Sequence, residues 1–276
     1  MSTIGIIISG VIVHDYLGEV FRGVADTAKQ HGYSLITNIQ NPRRHDDLTY
    51  FLEHDCDGVI VVVPYNYAEV LERCRYYKRE CILIDYPREE DARAFPTIES
   101  KNAEAMQSIM DHLFQLGHRR IGYLSGTMES AAARQRFQGY QDALQAAGIA
   151  YDPGLMRDVN WSQSPSYYAA RELLLLPVRP TALVCVCDVS ALGAFQAARE
   201  LGLEIGRDIS ITGFDDVGLA VSVTPALTTV RQPIYQFGQL AVEMLIKRLN
   251  GEPLSEWNVR LDAELIVRQS TGRAPT

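Results

Sequence analysis

Short apolar runs alternate with helical periodicity along the first third of the chain, and this alternation constrains the fold more than any other feature. Residues 58–63 form a continuously apolar run of the kind found in strands that are buried on both faces. Residues 17–28 place apolar side chains every three or four positions, which is the spacing of one helix face. The strands predicted in this part cover residues 4–8, 34–37, 58–63 and 81–84. Such a series predicts a parallel sheet wrapped by helices through right-handed crossovers.

The same alternation begins again in the second half of the chain. Predicted strands cover residues 121–124, 182–186 and 209–212, and glycines at suitable positions can end the intervening helices. No stretch rich in Pro, Gly and Ser separates the two halves. The sequence therefore predicts an α/β fold made of two Rossmann-like lobes with parallel sheets.

The last part of the chain predicts how these two lobes are connected. A helix near 234–249 and a strand at 263–267 follow both lobes and must pack on them. We therefore expect three inter-lobe crossovers, near residues 99, 230 and 262. The N-terminal lobe would consist of residues 1–98 plus 231–262, and the C-terminal lobe of residues 99–230 plus 263–276.

Charge and hydropathy exclude several classes of protein. The formal net charge is −8, whereas nucleic-acid binding normally needs a basic face. The one local basic cluster, at residues 118–120, is small and is expected to be a solvated turn. No apolar stretch approaches the roughly 20 residues needed to span a bilayer, so no membrane association is expected. The N-terminus shows no signal-peptide pattern, which predicts a cytoplasmic protein.

Cysteine usage and the missing catalytic motifs argue against metal and enzyme chemistry. Five cysteines leave one unpaired in any scheme, which favours free buried thiols. Cys185 and Cys187 lie two residues apart without further ligands at metal spacing. No Gly-x-Ser-x-Gly, Walker or His-Glu-x-x-His pattern is present, and no nucleophile, base and orienting group can be assembled. We therefore expect a binding protein with no cofactor and no metal, not an enzyme.

Five motifs in one order carry a specific resemblance. They are Gly-His-Arg-Arg-Ile-Gly at 117–122, Ala-Arg-Gln-Arg-Phe-Gln-Gly-Tyr at 133–140, Gly-Arg-Asp-Ile-Ser-Ile-Thr-Gly-Phe-Asp-Asp at 206–216, Leu-Thr-Thr-Val-Arg-Gln-Pro at 227–233 and Glu-Leu-Ile-Val-Arg-Gln-Ser-Thr at 264–271. Together they resemble the LacI/GalR transcription regulators, the second motif matching that family's AxxRxxGY pattern. The resemblance implies a type I periplasmic-binding-protein-like fold, a small-molecule effector bound between the lobes, and a homodimer.

The resemblance also implies a DNA-binding module that this sequence does not show. Family members carry an N-terminal helix-turn-helix, whereas this chain begins at its first predicted core strand. We expect the DNA-binding domain to be absent from the chain, with truncation favoured, and operator DNA to be contacted only through that missing module. At residues 99–102 the family usually shows an apolar residue followed by Asp-Asn. Only Asn102 matches, which implies different hinge or dimer contacts.

The candidate ligand residues follow predicted strands, because open α/β sheets bind ligands at the carboxyl ends of their strands. Asp215 matches the aspartate that in the family accepts hydrogen bonds from the ligand; a turn or capping carboxylate is the alternative. Arg134, at a helix start, is assigned to the family's ligand-binding arginine, with a salt bridge as the alternative. Asp188 ends another strand. The family often has Asn-Asp there and this chain has Cys187-Asp188, which shifts the expected effector.

Aromatic and acidic residues complete the predicted site. Trp161 lies in a loop at a position where the family often carries a stacking aromatic, with simple packing as the alternative. Tyr16 at the first helix start, Tyr65 after the third strand and Asp85 after the fourth are further candidates. For the two tyrosines, the alternative is an ordinary position on the surface of the lobe.

These features predict the effector-sensing domain of a LacI-type repressor. The favoured effector is a sugar or polyol, with a purine as a second possibility. The alternative function is a transport-type sugar-binding protein of the same fold, which would need export from the cell.

Overall fold

The computed structural model describes residues 2–9, 15–40, 48–63, 66–86 and 88–275. The chain forms two compact units. The first unit is Met1–Ser100 with Pro233–Leu261, and the second is Lys101–Gln232 with Asp262–Thr276. The chain therefore passes from one unit to the other after Ser100, after Gln232 and after Leu261.

Strands and helices alternate along most of the chain. The strands are β1 (Thr3–Ser9), β2 (Ser34–Gln40), β3 (Gly58–Val62), β4 (Glu80–Ile84), β5 (Thr97–Ser100), β6 (Ile121–Ser125), β7 (Met156–Asp158), β8 (Ala182–Cys185), β9 (Ser210–Thr212), β10 (Thr229–Arg231), β11 (Asn258–Leu261) and β12 (Glu264–Ile266). The α-helices are α1 (Asp15–Gln30), α2 (Leu48–Tyr50), α3 (Tyr67–Tyr76), α4 (Glu89–Ala94), α5 (Asn102–Gln115), α6 (Ala131–Ala146), α7 (Gln163–Leu174), α8 (Asp188–Glu200), α9 (Leu219–Ser222) and α10 (Ile234–Leu249). A π-helix covers Phe51–Asp55 and a 3-10 helix covers Pro153–Leu155.

The first unit contains a parallel sheet with the strand order β11-β5-β4-β3-β1-β2. Every residue of β3 is buried, as expected for a strand covered by helices on both sides. Helix α10 packs against α1 through glycines, since a Cβ added at Gly23 would lie 2.1 Å from the carbonyl oxygen of Tyr235. A Cβ at Gly238 would similarly lie 2.3 Å from the carbonyl oxygen of Val20. The two helix backbones therefore touch only because both positions lack a side chain.

The second unit contains the parallel sheet β7-β6-β8-β9 and the antiparallel pair β10-β12. Alternate residues of the central strands enter opposite cores, as the period of a strand requires. Tyr123 and Val184 join the core formed with α5 and α6, whereas Leu124 and Leu183 join the core formed with α7 and α8. The α/β fold with parallel sheets predicted from the sequence is confirmed. Strands β5, β7, β10 and β11, of three or four residues each, were not predicted.

The C-terminal segment is held in the second unit by buried polar groups. Ser270 donates its hydroxyl to the Ile211 carbonyl and accepts a hydrogen bond from the Thr228 amide. His118 is fully buried, with Nε2 3.0 Å from the Gly272 carbonyl and Nδ1 2.9 Å from the Thr181 hydroxyl. The prediction of a solvated turn at residues 118–120 is therefore wrong for the histidine, which anchors the tail. The five cysteines are free and buried.

Burial lowers the pKa of His118 below its usual value of 6.5. The stability of the folded protein therefore depends on pH through this histidine. In the unfolded chain the His118 imidazole takes up a proton near pH 6.5, whereas in the folded state it stays neutral at that pH. The free energy of unfolding should therefore fall as the pH decreases from about 7 to 5. The variant His118→Gln should show a shallower decrease in urea-unfolding experiments over this range. His31→Gln, at an exposed turn, is the matched control, and equal slopes for wild type and His118→Gln would contradict the assignment.

Two glycines of α1 test the helix contact in the first unit. Gly18 has open space around its Cα, whereas Gly23 faces the α10 backbone. Gly18→Ala should stabilise the protein by up to about 1 kcal/mol through helix propensity. Gly23→Ala should destabilise it by about 1–3 kcal/mol, because the helices must separate. The urea midpoints of the two variants measure the difference, and a midpoint for Gly23→Ala above that of wild type would show that α1 and α10 can separate without cost.

Candidate ligand site

Unusual backbone conformations occur within three residues of the ends of several strands. Val63 after β3, Asp85 after β4, Trp161 after β7 and Asp215 after β9 have φ values of 39°, 52°, 58° and 120°. Residues with a side chain rarely adopt such angles, and strained positions concentrate at functional sites. A site is therefore expected at the carboxyl ends of the strands in each unit.

Asp215 lies at the end of β9 and is fixed on three sides. Its amide donates to the Val230 carbonyl at 2.8 Å, and its Oδ1 accepts a hydrogen bond of 2.7 Å from Gln232 Nε2. The same oxygen lies 3.9 Å from Nη1 of Arg136. The Asp215 side chain is 12% exposed, so its charge is held next to a cation but remains in reach of solvent.

Arg136 is the cation of this site, and the sequence analysis did not select it. It comes from the buried face of α6, with 3% of its side chain exposed. Its Nε donates to Asn102 Oδ1 at 2.9 Å and its Nη1 to the Val186 carbonyl at 2.7 Å. The guanidinium carbon lies 3.6 Å from the centre of the Phe214 ring and 5.4 Å from that of Trp161. Such a cation is stabilised by two aromatic faces as well as by hydrogen bonds.

Arg134 lies on a different face of α6 from Arg136. Its Nη1 donates to the carbonyl oxygens of Met128 and Glu129, at 2.8 and 2.9 Å, in the loop that precedes α6. Two residues along a helix correspond to about 200°, so Arg134 and Arg136 cannot share a face. The sequence also carried a signal for Arg136, because the arginine of the AxxRxxGY pattern counted from Ala133 is Arg136. A ligand contact by Arg134 stays a prediction.

Asp188 is close to Asp215 but is completely enclosed. Its Oδ1 accepts a hydrogen bond of 2.5 Å from the Thr229 hydroxyl, and its Oδ2 accepts one of 3.0 Å from the Val217 amide. Burial, and next the charge of Asp215, raise its pKa well above the ordinary value. A Cβ at Gly213 would lie 2.2 Å from Asp188 Oδ1, so this glycine makes room for the carboxyl group. In this arrangement Asp188 supports the segments around it, and a ligand contact by Asp188 stays a prediction.

The two adjacent aspartates at the end of β9 have separate roles. Asp215 faces Arg136 and Gln232, whereas Asp216 pairs with Arg231 and Arg268, each at 2.7 Å. Asp216 is 5% exposed. Its ion pairs tie the end of β9 to β10 and to the C-terminal segment.

Trp161 covers one side of this group. Its indole lies against Gly126, where an added Cβ would be 2.4 Å from the ring. Cys187 is close by, with its sulfur 4.0 Å from the Trp161 carbonyl oxygen and 3.4 Å from the Ser190 amide that it caps. Burial, and next the charge of Asp215, raise the pKa of the Cys187 thiol to about 12, so this position presents a neutral thiol. The second unit therefore places a carboxylate, a guanidinium, an indole and a thiol at the strand ends.

Two of the remaining predicted residues meet in the first unit. The Tyr16 hydroxyl donates to Asp85 Oδ2, and the hydroxyl of Tyr67 donates to the Asp85 carbonyl oxygen. Tyr67 was not predicted, although it lies only two residues after the Tyr65 candidate. Tyr65 itself lies outside the described residues.

Metal and membrane features can be assessed for the described ranges. Within them, no group of three or more His, Cys, Asp and Glu side chains is arranged to hold a metal ion. No helix in the same ranges is both long and apolar enough to cross a membrane.

Comparisons with known proteins give the chain a family. The sequence profile of the periplasmic binding protein-like domain matches residues 110–271. The HTH-type transcriptional repressor CytR of Escherichia coli K12 is 31% identical over 275 residues, covering 96% of this chain and 79% of the relative. The ribose operon repressor of the same organism is 28% identical, covering 97% and 82%.

Solved structures show the same architecture. The transcription regulator CcpA of Lactococcus lactis superimposes with a TM-score of 0.91 at 24% identity, covering 98% of this chain and 99% of that one. The lac repressor dimer bound to operator and the anti-inducer ONPF gives a TM-score of 0.85 at 25% identity, covering 99% and 95%. The fold, the motifs and the relatives agree: this chain belongs to the LacI family of transcriptional regulators, and it is the effector-sensing domain of such a repressor.

Proposed function

We propose that the strand-end surface of the second unit binds the effector of this regulator, and that the effector is a small hydroxyl-rich molecule, a sugar or polyol. A purine is the second candidate class. The observation that carries the proposal is the Arg136–Asp215 pair, a buried cation and a carboxylate placed side by side between aromatic rings. The regulator is proposed to act in the cytoplasm as a homodimer, with operator DNA bound through a separate helix-turn-helix module.

The chemistry of the pair suits hydroxyl groups. A carboxylate accepts hydrogen bonds from hydroxyls and a guanidinium donates to their oxygens, so the two together match neighbouring hydroxyls on a ring. Nε and Nη1 of Arg136 are used by Asn102 and Val186, whereas Nη2 takes no acceptor among the residues that the structure describes. Nη2 and the carboxylate of Asp215 are therefore the groups that we assign to the effector.

Trp161 supplies the apolar side of the proposed site. The C–H faces of a sugar, or the plane of a purine, pack well on an indole. The neutral thiol of Cys187 adds a weakly polar contact in place of the amide that the family often carries. We propose that effector binding favours one of two states of the regulator, because its contacts differ between those states. The relative named for a ribose operon supports the sugar class.

The effector class is tested by thermal shift on the purified chain. The panel contains D-ribose, D-glucose, xylitol, glucose 6-phosphate, adenine and hypoxanthine. A ligand that binds only the folded state raises the melting temperature, with a stabilisation of about 2.7 kcal/mol at 100 times its Kd. The proposal expects one neutral sugar or polyol to give this rise.

A fluorescence measurement ties any hit to the proposed surface. The chain has two tryptophans, and Trp257 belongs to the first unit. In the variant Trp257→Phe, the remaining emission comes from Trp161 and should change on addition of the hit. A hit that leaves Trp161 emission constant would place the binding site elsewhere, and a panel without any hit would count against the sugar and polyol class.

The arginine assignment is tested by a matched pair of variants on the same helix. Arg136→Met keeps the length of the side chain and removes its charge, and Arg134→Met does the same on the other face. Arg136→Met and Asp215→Asn should each raise the effector Kd by at least tenfold, about 1.4 kcal/mol, whereas Arg134→Met should change it by less. Titration calorimetry with the panel hit measures the difference. A larger loss of effector affinity in Arg134→Met than in Arg136→Met would support Arg134 as the ligand-binding arginine, as predicted from the sequence.

A further inference from the structure

Two buried amide side chains stand where the chain enters and leaves the second unit. Asn102 is the second residue after the passage at Ser100, and Gln232 is the last residue before the passage at Pro233. Both side chains are buried. We call the three places where the chain changes unit the first, second and third passages, after Ser100, Gln232 and Leu261 respectively.

Each amide is bonded to one member of the charged pair. Asn102 Oδ1 accepts a hydrogen bond of 2.9 Å from Arg136 Nε. Gln232 Nε2 donates a hydrogen bond of 2.7 Å to Asp215 Oδ1. The backbone N–H of Gln232 also donates to the Asp215 carbonyl oxygen, at 3.4 Å. The cation of the site is therefore tied to the first passage and its carboxylate to the second.

The first and third passages are fastened to each other. In the first unit β5 and β11 pair in parallel, with Ser100 opposite Leu261, and the buried Glu99 accepts a hydrogen bond of 2.7 Å from Arg260 Nε. In the second unit Lys101 pairs with Asp262 at 2.7 Å. Ion pairs of opposite polarity thus hold these two strands together on both sides of the point where they change unit.

The second passage is held in another way. Its polar contacts in the second unit run to the two aspartates at the end of β9: Arg231 pairs with Asp216, and Gln232 bonds to Asp215. In addition, Gln232 Oε1 is buried without a hydrogen-bond donor among the described residues. A buried acceptor without a donor is unfavourable, so an arrangement that supplies one is close in energy.

We propose that Gln232 is the positioning residue that couples effector binding to the chain connection between the units, and that the signal enters through the second passage. The proposal rests on the proposed function of Asp215. An effector hydroxyl that donates to Asp215 competes with Gln232 Nε2 for the same carboxylate. The freed amide then takes new partners, and the hydrogen bonds of residues 229–236 change. The first and third passages are fastened to each other by their own ion pairs, so we expect them to respond less to Asp215 than the second passage does.

The test is a double-mutant cycle read by hydrogen exchange on the ligand-free chain. The proteins are wild type, Asp215→Asn, Gln232→Met and the double variant, with peptides covering residues 229–236, 97–103 and 259–264. Asp215→Asn should raise exchange at 229–236 about threefold or more, and it should add no further increase in the Gln232→Met background. Exchange at the other two passages should change less than exchange at 229–236.

Gln138→Met is the matched control, because it removes an amide–carboxylate hydrogen bond to Asp142 on the exposed side of α6. It should leave the response to Asp215→Asn intact. A purely structural role of Gln232 predicts additive effects of the two substitutions. Additive effects, or an equal response at all three passages, would overturn the proposal.

A second arm separates this proposal from the function on which it rests. With D-ribose at saturation, wild type should change exchange both at 131–140 and at 229–236, whereas Gln232→Met should keep the first change and lose at least about two-thirds of the second. If D-ribose changes neither region in wild type, ribose is not the effector, and the ligand-free cycle still decides the role of Gln232. Equal changes at 229–236 in both proteins would exclude Gln232 as the coupling residue.

Discussion

The carboxyl group of Asp188 joins three segments of the second unit. Asp188 is the first residue of α8. Its carboxyl group accepts hydrogen bonds from Thr229 in β10 and from the Val217 amide after β9, and it occupies the space left by Gly213. A carboxyl group enclosed in this way costs several kcal/mol unless it is hydrogen-bonded. These bonds fix the segment that follows β9, so the position of the Asp215 carboxylate depends on the buried carboxyl group of Asp188.

The cost of that arrangement explains the environment of Arg136. Two carboxyl groups close together repel each other when both are ionised. The guanidinium of Arg136 beside Asp215 offsets this repulsion, and its stacking on Phe214 lets it stay buried. Arg136 and Asp215 therefore form one ion pair, and the charge of Asp215 in turn helps to raise the pKa of Asp188.

Sequence periodicity was enough for the longer elements, because buried strands and amphipathic helices impose strict spacing on apolar residues. The family followed from the resemblance of five ordered motifs to those of the LacI/GalR regulators. Periodicity failed where tertiary contacts decide. His118 looked like part of a basic turn, but it is buried by the C-terminal segment 154 residues later. The enclosure of the strand-end residue Asp188 by Thr229 and Val217 had no signal in the sequence either. The burial of Arg136, which we propose for the site, could have been predicted, since it shares the helical spacing of Gly139 and Tyr140 on α6.

The discontinuous first unit has a consequence for synthesis of the protein. Its edge strand β11 and its helix α10, which packs on α1 and places Leu245 against Gly58, come after the main part of the second unit. On the ribosome, residues 1–100 therefore emerge without the helix that covers them and must wait until more than 130 further residues have been made. The second unit meets the same problem on a smaller scale, since its tail follows α10. Neither unit can be completed before the other is nearly finished. The two units must therefore fold together during synthesis, although each has its own core.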